Sequence, residues 1–392
     1  MGYGMSRLEE AYNEHEGQNT DGSSSVEVKN EFSKLHNDIF HMTRLRSGPS
    51  ESIRRSMDAV SITRLLRGRE VNSSGNGKFS SVDQAFALGH YLPVDGPEIV
   101  DRMDSRAYVS QFSADGSLFV AGFQGSHIRI YDVDKDWKVH RDIHARNLRW
   151  TISDASLSPD QRFLVYSSLA PIIHIVNIGT ASRESYANIT KYTIGNLIYS
   201  GSDDNLCKVW DRRCLSTGEA AGVLTGHLHG ITHIDSRGDG RCFISNGKDQ
   251  AIKMWDIRKM TSNADGSENR VPAWDYRYSR YPQQQKQQKH PHDQSLATYR
   301  GHSVLRTLIR CYFSPTYSTG QKYIYTGSYD ASVCIYDVVS GSQVAKLHGY
   351  HHLAVRDCSW HPFDPMLVSS SWDGRIAKWS KGCSQQDTSE LD

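Results

Sequence analysis

An excess of charge of either sign is missing from the 392-residue sequence: 45 Lys and Arg face 44 Asp and Glu, for a net charge of +1. A protein that binds nucleic acid over its bulk carries a basic excess, so direct nucleic-acid binding is not expected. Long apolar runs are also missing. No stretch approaches the roughly 18 residues of a membrane span, so no membrane partner is expected. The first residues, MGYGMSRLEEAYNEHEG, lack the apolar core of a signal peptide. The seven cysteines, at 207, 214, 242, 311, 334, 358 and 383, form no C-x-x-C pair, which excludes zinc ribbons and dithiol redox chemistry. They read as reduced thiols of a nuclear or cytoplasmic protein. There is no G-x-S-x-G, no P-loop and no H-E-x-x-H. No catalytic residue, metal or cofactor is therefore expected, and the chain reads as a non-enzyme.

Residues 1–80 form a region of their own. GQNTDGSSS, SGPSES and NSSGNGK are loop and disorder compositions. Between them Phe32, Leu35, Ile39, Phe40 and Met42, and then Ile53, Met57, Val60, Ile62, Leu65 and Leu66, recur near helical spacing. The expectation is a flexible arm with short amphipathic helices. These pack on the main domain or dock on a partner.

The rest of the chain repeats. Strand-like segments end in an apolar or aromatic residue plus a polar one at Asp132, Asn177, Asp211, Asp256, Asp337 and Ser380. The spacings are 45, 34, 45, 81 and 43 residues. Gly-His precedes two of the units, at 226–227 and 301–302, and an Asp lies six residues before the terminal aromatic at Asp204, Asp249, Asp330 and Asp373. In this multi-position pattern the chain resembles the WD40-repeat family. The resemblance implies an all-β propeller over residues 81–382, with a tail at 383–392. It also implies a structural network, His227–Asp249–Trp255, within one blade. Six repeats are recognisable, and the first two, with Gly125 and Ala170 at the Asp position, should form the weaker blades.

Two spacings are irregular. The long one holds a Gln-rich insertion at 260–296, expected as a disordered loop on the wide face. Trp274-Asp275-Tyr276-Arg277 inside it looks like a repeat end but has no strand pattern before it. The short spacing leaves only 178–196 where an outer strand and the next inner strand belong. The expectation is a seven-blade ancestor that has lost roughly 55 residues, about one blade, near 190–195. The alternative is a compact six-blade ring.

Two consecutive repeats end in Trp-Asp-x-Arg. Here the chain resembles the DWD-box receptors of cullin-4 RING ubiquitin ligases, and within them the WD-repeat-containing protein 23 subfamily and its plant LEC-type relatives. RAYVSQFSADGSLFVAGFQGSHIRIYDV and NLIYSGSDDNLCKVWDRRC carry that likeness. The resemblance implies docking on the damaged-DNA-binding adaptor protein through Asp204, Trp210, Asp211 and Arg213, and through Asp249, Trp255, Asp256 and Arg258. It implies a client protein, of unknown identity, on the narrow face at Lys248, Arg310, Tyr329, Arg356, Asp357 and Trp372. The other reading is a general WD40 scaffold, with both arginines merely structural.

Overall fold

A computed structural model describes residues 92–146, 150–170, 172–178, 196–261, 274–285 and 288–381, together with Leu66, Arg67 and Glu70 in a helical turn. The remainder of the arm at 1–80 and the tail at 383–392 lie outside the described residues.

Alternation of apolar residues folds the chain into six antiparallel sheets, the blades of a propeller. Blade 1 holds β2 (Ala107–Phe112), β3 (Leu118–Phe123), β4 (His127–Asp132) and β5 (Lys138–His144). Blade 2 holds β6 (Ile152–Leu157), β7 (Phe163–Ser168) and β8 (Ile173–Asn177). Blade 3 holds β9 (Leu197–Gly201), β10 (Cys207–Asp211) and β11 (Gly222–Leu224). Blade 4 holds β12 (Ile231–Ser236), β13 (Cys242–Gly247), β14 (Ala251–Asp256) and β15 (Ala297–Tyr299). Blade 5 holds β16 (Cys311–Phe313), β17 (Tyr323–Gly327), β18 (Val333–Asp337) and β19 (Gln343–Leu347). Blade 6 holds β20 (Val355–Trp360), β21 (Met366–Ser371) and β22 (Arg375–Ser380). Its outer strand is β1 (Asp95–Arg102), which pairs antiparallel with β22, Ile99 opposite Ala377. The start of the propeller therefore completes its last blade and covers the β22 edge.

The all-β, six-blade architecture expected from the repeats is what the chain adopts. Blade 4 is the most regular. In it Phe243 opposes Trp255 and Ile244 opposes Met254, and every residue of β13 and β14 is buried. Blade 1 lacks the repeat Asp yet is tightly filled, with Phe119, Val120, Phe123, Ile128 and Ile130 at 0% exposure. Blade 2 is the thinner one: no residue of β8 is fully buried, and Leu169, Ile172 and Ile173 are exposed.

Blades 2 and 3 each show three strands among the described residues. By blade position β6, β7 and β8 are inner, second and third. The free edge of β8 is where an outer strand would pair. In blade 3 the free edge is that of β9, where an inner strand would pair. Residues 179–195, which join them, lie outside the described residues.

The insertion departs from expectation. Residues 262–273 lie outside the described residues, but 274–285 and 288–296 are ordered against the propeller. Disorder there, and a place on the wide face, are both corrected. The ring of Trp274 packs edge-on to His229 at 5.4 Å and to Tyr281 at 4.9 Å. Lys248 Nζ lies 4.5 Å from the centre of the Tyr276 ring. His229 and Lys248 belong to the loops that precede β12 and β14, on the narrow face. The physical reason is aromatic content. Trp274, Tyr276 and Tyr281 supply apolar area that the surrounding Gln and Lys residues conceal in a composition count.

Candidate functional site

Each Trp-Asp-x-Arg box begins at the end of a blade's third strand. In blade 4 the box rests on a buried network. Trp255 Nε1 donates to Ser245 Oγ at 2.7 Å, and Ser245 Oγ meets His227 Nε2 at 2.7 Å. His227 Nδ1 lies 3.0 Å from both oxygens of Asp249, and the Leu228 N–H donates to Asp249 at 3.0 Å. The expected His227–Asp249–Trp255 link thus exists, with Ser245 as the missing member. Gly247 makes room for it, since a Cβ there would stand 2.5 Å from His227 Nδ1 and Asp249 Oδ1. Blade 6 repeats the arrangement with His351, Ser369, Trp379 and Asp373. In blade 3 only part survives. Trp210 Nε1 donates to Ser200 Oγ at 2.8 Å, while Asp204 pairs with Lys208 at 2.8 Å in place of a histidine.

Burial opposes ionisation of Asp249, but the facing His227 and the Leu228 N–H hold its carboxyl at about 2. Asp373 is likewise held at about 2 against its burial, by His351 and the N–H groups of His352 and Arg375. Both folded-state values lie below the unfolded value near 4, so the folded state binds fewer protons in that window. This stabilisation is complete above about pH 4 and is lost as the pH falls toward 2; for buried Asp249 it is roughly 2–3 kcal/mol. We predict that Asp249→Asn flattens the fall of Tm between pH 5 and pH 2. An unchanged slope would contradict it.

Above these networks the two arginines are held alike. The Arg213 N–H donates to Asp211 at 2.9 Å, and its Nε and Nη2 donate to the same carboxylate at 3.0 and 2.6 Å. Arg258 repeats this on Asp256: N–H at 3.0 Å, Nε at 3.0 Å and Nη2 at 2.8 Å. Arg241 adds a second cation to Asp256. The Asp211 and Asp256 side chains are shielded at 17% and 3% exposure, whereas those of Arg213 and Arg258 reach 70% and 64%. Hydrogen bonds from Arg213 hold the Asp211 carboxyl at about 2. Adjacent blades therefore present two guanidiniums on one face, each braced on one side and open on the other.

The insertion carries the same device. Arg277 Nε and Nη2 donate to Asp275 at 3.0 and 2.8 Å, and the Arg277 N–H donates to it at 3.0 Å. Sequence reasoning set Trp274-Asp275-Tyr276-Arg277 aside for want of a preceding strand. The four-residue match itself was the signal.

The expected client residues divide. Arg310, Arg356 and Asp357 are buried in the channel, at 9%, 8% and 0% exposure. Their reading as surface anchors is corrected, because each faces the propeller axis from an inner strand or its start. Asp357 accepts from the Ser110 N–H and the Tyr312 hydroxyl, both at 2.9 Å, and from Arg310 at 3.3 Å. Arg310 reaches across to Asp154 at 3.0 Å and the Ser153 carbonyl at 2.7 Å. Arg356 donates to the Tyr108 carbonyl. Burial pushes the Asp357 carboxyl up, and Arg310 and Arg356 pull it back. Blades 1, 2, 5 and 6 are joined by this network. Lys248, Tyr329 and Trp372 stay at the narrow face: Lys248 pairs with Asp203 at 2.6 Å, Arg306 lies over the Tyr329 ring, and Arg106 lies over Trp372 at 4.4 Å.

The WD domain, G-beta repeat family matches residues 193–211, 218–256, 293–337 and 341–380. The LEC14B protein of Lithospermum erythrorhizon is 51% identical over 97% of this chain and 96% of its own length. This chain belongs to the LEC14B family of WD40-repeat proteins. The LEC14B homolog of Prunus armeniaca is 52% identical over 93% of the chain and 92% of its own length. A DDB1- and CUL4-associated factor 11 homolog of Caenorhabditis elegans is 31% identical over 86% of the chain and 70% of its own length. The subfamily resemblance read from the repeats is thus the one the comparisons return. Within the LEC14B fold, no group of three metal-ligating side chains occurs among the described residues. No described helix is long and apolar enough to cross a membrane.

Proposed function

We propose that this chain is a non-catalytic substrate receptor of a cullin-4 RING ubiquitin ligase. It docks on the damaged-DNA-binding adaptor and presents a client protein for ubiquitination. The observation that carries this reading is the pair of aspartate-braced arginines at the ends of β10 and β14. An arginine that folding has already oriented loses less conformational freedom on binding, and Nη1, with no partner among the described residues, can meet a carboxylate or carbonyl of the adaptor. Relatives named for association with DDB1 and CUL4 support the same reading.

The shortened repeat belongs to this proposal. The alignment with the Lithospermum protein runs over 455 positions, although 97% of 392 residues is about 380. The relative thus holds about 75 positions with no counterpart here, more than one repeat of this period. The family match at 193–211 spans half a repeat, unlike its three neighbours. We assign most of the difference to the junction between Asn177 and Leu197, where blade 2 shows no outer strand and blade 3 no inner one among the described residues.

Expressed with a tag, the chain is expected to co-purify the adaptor and the cullin. The Arg213→Ala/Arg258→Ala variant should lose both while keeping its melting temperature, since the two side chains are largely solvated. Retention of both proteins by the double variant would put the docking surface elsewhere on the propeller, and failure of the folded wild type to retain either would favour the general-scaffold reading.

A further inference from the structure

The ordered insertion builds a site that none of the repeats contains. Residues 280–283 lie over blades 4 and 5 at the narrow face and close a cavity of about 480 Å³. Its wall includes Arg280, Tyr281, Gln283, Arg300, Ser303 and Tyr329, and no lining residue is acidic. Both guanidiniums are exposed. Among the described contacts Arg280 has no acidic partner, and Arg300 only reaches the Asp249 carbonyl at 3.5 Å. Tyr281 is 7% exposed, and its buried hydroxyl has no hydrogen-bond partner among the described residues. Its ring is fixed by edge-on packing against Trp274 and His229. Burial raises that hydroxyl to about 12, so it remains a proton donor at any physiological pH.

A buried donor with no described partner, in a wall that carries two guanidiniums with no described acidic partner, is a recognition arrangement for an anion. Tyr329, with the Arg306 guanidinium over its ring, extends the cationic and aromatic surface beyond the cavity. We propose that this cavity receives an anionic side chain, a carboxylate or a phosphoryl group, of an extended client peptide. The insertion would then supply client specificity that the propeller blades lack. This rests on the receptor reading above and deepens it.

The test uses the full chain. A random decapeptide library displayed on phage is selected on wild type. The recovered peptides are then measured on Arg280→Gln/Arg300→Gln and on Tyr281→Phe, which keeps the ring and removes only the hydroxyl. Expected are an Asp or Glu at one fixed position, a loss of at least tenfold on the double variant, and a smaller loss on Tyr281→Phe. Replacing the acidic residue by phosphoserine in the best peptide separates the two anion sources, because the natural one binds more tightly. An enriched pool with no acidic position, no enriched pool, or equal affinity for the folded double variant would overturn the proposal. Adaptor binding is measured on the same proteins. A wild type that binds the peptide but not the adaptor sinks the receptor reading and leaves the cavity assignment standing. A wild type that binds the adaptor but no acidic peptide does the reverse.

Discussion

Asp357→Ala is expected to destabilise the propeller by roughly 3–5 kcal/mol, because it leaves two buried guanidiniums facing one remaining carboxylate. In the folded protein Arg310 and Arg356 face Asp357 and Asp154, so the charges in the channel balance. Removing Asp357 also orphans the Ser110 N–H and the Tyr312 hydroxyl, which donate to it. Melting should fall by on the order of 10 °C. Asp357→Asn, which keeps an acceptor but not the charge, should lie between wild type and Asp357→Ala. Arg356→Ala, which removes a buried charge facing Asp357, is for the same reason a folding variant and not a client-binding probe. Melting of all three by circular dichroism checks this. Unchanged melting of Asp357→Ala would show that the channel is open to water and the charges are solvated.

The second large effect concerns the junction of blades 2 and 3. Replacing residues 179–195 with the corresponding segment of the Lithospermum relative is expected to raise melting by roughly 10 °C and to remove self-association. Two strand edges unpaired among the described residues, β8 and β9, invite intermolecular pairing, and Leu169, Ile172 and Ile173 add exposed apolar area beside one of them. An added repeat contributes interface energy with each neighbour, which in repeat architectures amounts to several kcal/mol. Thermal melting and light scattering on the two proteins decide it. If the longer protein melts at the same temperature and scatters no less, the six-blade ring is complete as it stands.

How much of this was legible in the sequence depends on distance along the chain. Repeat ends such as Trp255-Asp256 and turn residues such as Asp249 are local, so their period exposed the propeller and both arginine boxes directly. Ser245 was not legible as a network member, since a serine ten residues before Trp255 has no signature of its own. The channel network was invisible for a different reason. Arg310 finds Asp154 from 156 residues away, and Asp357 finds the Ser110 N–H from 247 residues away. Only ring closure brings them together, so Arg310, Arg356 and Asp357 looked like surface anchors. Trp274, Tyr276 and Tyr281 failed to register because a Gln-rich run follows them at 283–288, although four aromatics in the eight residues 274–281 are enough to hold a strap on a protein surface.

The most direct test of the account is a calorimetric titration of purified adaptor into the folded chain, wild type against Arg213→Ala/Arg258→Ala. Wild type is expected to bind saturably and the double variant to lose at least 100-fold in affinity, about 2.7 kcal/mol or more, with both proteins melting at the same temperature. Equal affinity of the two proteins, or no binding by the wild type even with residues 179–195 replaced by the longer segment of the Lithospermum relative, would contradict it.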